Sequence, residues 1–93
     1  MTIKNSETDR LFKAILSLKT EDDCAKFFED ICTIKELQSM AQRLDVARLL
    51  KEKKTFAEIV AKTGASTATI SRVNRCLMYG AGGYSKVLKE IEK

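Results

Sequence analysis

Apolar residues recur along this chain at steps of three and four, with little strand-like alternation. That period predicts helices throughout. Residues 1–7 form a polar lead-in, expected to be frayed, and Leu11, Ala14, Ile15 and Leu18 then stripe a first helix. Thr20-Glu21-Asp22-Asp23 opens a second helix, with a threonine cap and acids in its first turn. Cys24, Phe27, Phe28 and Ile31 sit at i, i+3, i+4 and i+7, so this helix is expected to bury two phenylalanines. Thr33-Ile34-Lys35-Glu36 is a capping box for a third helix. Its apolar residues Ile34, Leu37, Met40, Ala41, Leu44, Ala47 and Leu50 run too long for one clean face. Gln42, Arg43 and Asp45 interrupt them, so a break is expected near residues 41–43, giving two helices in place of one. Lys51-Glu52-Lys53-Lys54 reads as a charged connector. After a flexible stop at Gly80-Ala81-Gly82-Gly83, Tyr84, Val87, Leu88 and Ile91 stripe a final helix. No proline occurs, and the class expected is all-α in a single domain over residues 1–93.

The run from Thr55 to Val73 carries the most information. Thr55-Phe56-Ala57-Glu58 is a second capping box, and Ile59 and Val60 are expected to supply the buried side of the short helix it opens. Gly64 suits a turn that needs a left-handed backbone. Ser66 is placed to cap the next helix, expected from Thr67 to about Met78. Ile70, Val73 and Leu77 bury one stripe of that helix, which leaves Thr67, Ala68, Ser71, Arg72 and Arg75 for other faces. Buried aliphatics on one side, with small hydroxyls and arginine on the other, suit a DNA major groove. Glu58-Ile59, Gly64, Ser66, Ile70, Ser71 and Arg72 sit at the spacing found across bacterial helix-turn-helix regulators. An ordinary helical hairpin is the competing reading. The position of Val60 usually holds a small residue, so the two helices are expected to cross slightly wider.

Charge sharpens this picture. The 93 residues carry a net +4. Residues 1–40 hold six basic and eight acidic side chains, whereas residues 41–93 hold eleven and five. The positive half contains the helix-turn-helix, as a phosphate-binding half would. Cys24, Cys32 and Cys76 show no Cys-x-x-Cys spacing and histidine is absent, so no metal or other cofactor is expected. Cys24 and Cys32 are expected to be reduced core thiols. No long uncharged apolar run is present for a membrane span, and no signal-peptide core follows the first residues. The expected location is the cytoplasm. With no histidine, no nucleophile–base pair and no clustered carboxylates, catalysis is not expected.

Several segments resemble the Trp repressor superfamily, in particular its YerC/YecD group of Trp-repressor-related proteins. The carriers are Gln42-Arg43-Leu44 with Leu49-Leu50, Gly64-Ala65 with Ala68-Thr69-Ile70-Ser71-Arg72, and the Tyr79-Gly80-Ala81-Gly82-Gly83-Tyr84 turn. The resemblance implies six helices per chain, an intertwined homodimer, and paired recognition helices entering successive major grooves of double-stranded DNA. It also implies where a ligand site would fall. The arginine that stacks on the indole of tryptophan corresponds to Arg72, and a threonine of that site to Thr69. The carboxylate-binding arginine falls on Gln42, with Arg43 beside it. The site's glycine is Val73 here, and a pocket serine falls on Cys76. These departures argue against tryptophan as the effector. Two basic DNA-contacting positions fall on Ala57 and Val60, so an operator sequence does not transfer either. Thr67, Ala68 and Ser71 occupy recognition-helix positions that contact DNA in the repressor.

The expected function is sequence-specific DNA binding by a homodimeric transcriptional regulator, a repressor by family. Lys53, Lys54, Thr55, Lys62 and the Ser66 end of the recognition helix would contact phosphate. Thr67, Ala68 and Ser71 would read base edges. Arg72 has three open roles: phosphate contact, lining a vestigial pocket with Gln42, Arg43, Thr69, Val73 and Cys76, or pairing with an acid of a partner chain. Arg75 is assigned to phosphate. The alternative is a helical interaction module that kept the fold and lost DNA binding. A replication-initiator-type module is a further rival, though nothing in the chain resembles the phosphate loop of its usual ATPase partner.

Overall fold

Side-chain caps set where five of the six described helices begin, and the last starts after Gly82 without one. The computed structural model describes residues 3–92. They form six helices: α1 (Ser6–Leu16), α2 (Glu21–Ile31), α3 (Ile34–Lys51), α4 (Phe56–Thr63), α5 (Thr67–Tyr79) and α6 (Gly83–Ile91). No strand occurs among the described residues, and none of their helices is long and apolar enough to cross a membrane. The chain divides into two compact units, Met1–Leu37 and Gln38–Lys93.

In the first unit, Asn5 starts α1 earlier than its apolar stripe suggests. The Asn5 side chain accepts from the Thr8 N–H at 2.9 Å, and Thr8 Oγ1 accepts from the Asn5 N–H at 2.8 Å. This reciprocal box makes Ser6 and Glu7 helical, where a frayed lead-in is expected; Met1 and Thr2 lie outside the described residues. Thr20 caps α2 as expected, accepting from the Asp23 N–H at 3.0 Å. Thr33 and Glu36 form the expected box at α3, with bonds of 2.8 and 3.1 Å. The Thr33 N–H, and after it the Thr33 hydroxyl, hold the Glu36 carboxyl below its ordinary pKa by bonding to the charged form.

Neither α1 nor α2 contains a buried residue. Phe27 and Phe28 meet edge to face at 5.5 Å but stay half-buried. Cys24 is exposed and Cys32 half-buried, so neither is a core thiol. The unit is too small to cover the α2 stripe, and Cys32 ends that helix in extended backbone.

The expected break at residues 41–43 is absent, because α3 runs unbroken from Ile34 to Lys51. Ala41, Gln42, Arg43 and Leu44 are good helix formers, with no glycine or proline among them. What changes along α3 is its surroundings, not its backbone. Residues 34–41 are exposed, whereas Val46, Ala47 and Leu49 are buried. Two of the three interrupting polar residues also have partners: Gln42 reaches the carbonyl of Thr63, and Asp45 accepts from Arg48 at 2.7 Å.

The core of the second unit joins those three residues to Ile59 of α4, Ala65 of the turn, Ile70 and Val73 of α5, and Leu88 of α6. Leu44, Leu50, Leu77 and Tyr84 pack around it. Each large aliphatic here contributes roughly 1.5–3 kcal/mol by burial.

Candidate nucleic-acid interface

The helix-turn-helix is built from α4, a three-residue turn and α5. Thr55 accepts from the Glu58 N–H at 3.1 Å and starts α4. Gly64 ends it at φ 72°, its N–H bonded to the Val60 carbonyl at 2.9 Å. A residue with a Cβ is strained at that φ. Ser66 then accepts from the Thr69 N–H at 3.1 Å, and its hydroxyl donates to Thr69 Oγ1 at 3.1 Å.

This geometry divides the residues as the spacing suggests, with one correction. Ile59 is fully buried, but Val60 is 38% exposed and Phe56 37%. Val60 is therefore not on the buried side of α4, and its bulk need not widen the crossing. On α5, Ile70 and Val73 face the core while Thr67, Ala68, Ser71, Arg72 and Arg75 are exposed. Lys53, Thr55, Lys62 and Ser66 are exposed and Lys54 is half-buried. Lys53, Lys54, Lys62, Arg72 and Arg75 form no ion pair among the described residues. By contrast, Arg48 is held by Asp45 and Glu52, which raise its pKa, the Asp45 hydrogen bond foremost. The unpaired cations thus flank both ends of α4 and continue along the open side of α5.

The residues set aside for a vestigial pocket are placed differently from one another. Val73 is 1% exposed, inside the core. Thr69 uses its hydroxyl in the Ser66 cap. Gln42 gives its amide to the Thr63 carbonyl at 3.1 Å and lines a groove of about 600 Å³ with Asp45, Arg48, Lys62 and Leu88. Cys76 lines another groove, of about 450 Å³, with Leu44, Tyr84 and Val87. Arg43 and Arg72 are exposed.

Two features of this region escape the sequence. Lys53 adopts φ 66°, the left-handed conformation, without being glycine. The Gln42–Thr63 bond spans 21 positions, and no local spacing signals it.

Known proteins share this arrangement. A family model described as Trp repressor protein matches residues 6–92. YerC, an uncharacterised protein of Bacillus subtilis (strain 168), is 53% identical over 91 residues, covering 98% of this chain and 88% of its own. A TrpR-like protein from Eubacterium eligens ATCC 27750 has a crystal structure that superposes with a TM-score of 0.93, at 52% identity over 97% of this chain and 93% of that one. A second solved structure, from Staphylococcus aureus, gives a TM-score of 0.93 at 44% identity, covering 97% and 90%. With its six helices and its match across nearly the whole length, the chain belongs to the Trp repressor family, in the YerC group of Trp-repressor-related proteins.

Proposed function

We propose that this protein is a sequence-specific DNA-binding transcriptional regulator, a cytoplasmic repressor that enters the major groove as a homodimer and does not answer to tryptophan. The observation that carries this is the division of α5. Its core side holds Ile70 and Val73, and its open side presents Thr67, Ala68, Ser71, Arg72 and Arg75. Unpaired cations positioned beside it supply phosphate contacts from Lys53, Lys54 and Lys62, while the small hydroxyls read base edges or bound water. Arg72 and Arg75, exposed and without an ion pair among the described residues, fit phosphate.

Dimerisation is supported by the first unit. None of its described residues is buried, yet it exposes Ile31 by 50%, Ile34 by 77% and Leu37 by 40%. A second copy would cover such surface. The case against tryptophan rests on Val73 in the core and on Gln42 and Thr69 already bonded. A ligand shifts an equilibrium only by its differential affinity for the two states.

One observation favours the rival reading of an interaction module. Where the family carries basic contacts, this chain exposes Ala57 and Val60, next to Phe56. Selection of genomic fragments by the purified protein separates the two. Recovery of a shared sequence supports the regulator; recovery of none supports the module.

A further inference from the structure

The turn of the helix-turn-helix contains one bond that capping alone does not require. Thr63 is the last residue of α4, so its carbonyl has no partner within that helix. Water satisfies most such carbonyls. Here Gln42 Nε2, from the middle of α3, donates to it at 3.1 Å in a half-buried setting. The other groups of the turn are also engaged. The Thr63 hydroxyl donates to the Ile59 carbonyl at 2.8 Å and accepts from the Ala65 N–H at 3.1 Å. Ala65 is 2% exposed and belongs to the core. The Ser66 cap follows directly and launches α5.

Apolar packing around Ile59, Ala65 and Ile70 holds these helices together but is not directional. A hydrogen bond is directional, weakening steeply away from its preferred angle. The one from Gln42 ties the pivot of the turn to α3, the helix whose Val46, Ala47 and Leu49 anchor the core. We propose that Gln42 is a positioning residue for DNA recognition: its amide fixes the exit of α5 from the turn and presets the recognition helix without any bound ligand. The proposal rests on the DNA-binding reading above. It names regulation of that site as built in rather than effector-driven.

Gln42→Met tests it, because the side chain keeps its length and neutrality but loses the donor. The groove beside Gln42 is open to solvent, so water can reach the Thr63 carbonyl, and the melting temperature should fall by no more than about 4–8 °C. Amide exchange should quicken at Gly64, Ala65 and Ser66. The ratio of specific to non-specific DNA affinity should fall about fivefold, what one neutral hydrogen bond of typical net strength is worth. Gln42→Lys, which restores a donor of sufficient reach, should recover that ratio at matched salt. If Gln42→Met keeps both the ratio and the exchange of wild type, the proposal fails while DNA binding stands. A uniform rise in exchange from α3 to α6, with a larger fall in melting temperature and no rescue by lysine, makes the bond merely structural and also overturns it. If the wild-type protein itself shows no specific binding, the DNA reading fails and this proposal with it.

Discussion

The backbone N–H of Lys54 donates to the carbonyl of Leu49 at 3.1 Å, closing α3 around a left-handed residue that is not glycine. That residue is Lys53, at φ 66°, whose own N–H bonds the Leu50 carbonyl at 3.0 Å. The pair of bonds is the Schellman arrangement, in which glycine is the usual occupant. Lysine there accepts steric strain, and it also places a cation beside Lys54 and Thr55. Lys53→Gly should therefore raise unfolding stability by about 0.5–1 kcal/mol in a urea titration. The same variant should bind DNA more weakly, with a shallower salt dependence. A loss of stability would show that the left-handed conformation is not strained.

Two glycines of the Gly80–Gly83 stop should answer differently to alanine. A Cβ at Gly80 would stand 2.5 Å from the Cys76 carbonyl oxygen, which is helix backbone and has little room to yield. Gly80→Ala should cost about 1–3 kcal/mol. A Cβ at Gly83 meets nothing within 4 Å, and Gly83 already lies in α6. Gly83→Ala should be neutral or stabilise by up to about 1 kcal/mol. Thermal melts of the two variants check the contrast, and equal melting temperatures would contradict it.

Most local chemistry is legible in the sequence, the Asn5–Thr8 box excepted, and long-range geometry is not. Thr20, Thr33, Thr55 and Ser66 each cap where their spacing placed them, because a cap depends on residues three apart. Gly64 was readable for the same reason. Lys53 was not, because a non-glycine residue carries no local sign of a left-handed backbone. The break expected at residues 41–43 is absent because the surroundings of α3 change there while its backbone does not. Its first half is exposed and its second buried, so no single stripe describes it. Cys24 looked like core by periodicity alone, but the first unit does not cover it. The exposed side of α5 was foreseen residue by residue. The partner of Gln42 lies on another helix and needed the fold.

Val73 is core, and glycine in its place should reveal nothing but a hole. Val73→Gly should destabilise by about 2–3 kcal/mol, from lost burial plus the helix cost of glycine. Calorimetry should show no tryptophan binding to the variant or to wild type. Heat of binding in the variant alone would mean that valine blocks a surviving pocket.

The first unit predicts the oligomeric state. Sedimentation at micromolar concentration should give twice the 10.5 kDa chain mass. Ile34→Lys, at a 77% exposed apolar position of the single chain, should shift the protein toward monomer. A wild-type monomer would contradict the homodimer.

The most direct test compares Lys54→Ala and Thr67→Ala with wild type, on the selected genomic site and on an unrelated duplex, across a salt series. Wild type should prefer its site, with log affinity falling against log salt by about 0.9 per phosphate contacted. Lys54→Ala should weaken both duplexes by a similar factor, and Thr67→Ala should erode the preference while leaving the unrelated duplex nearly unchanged. A wild-type protein that binds both duplexes alike, or binds neither, would contradict the account.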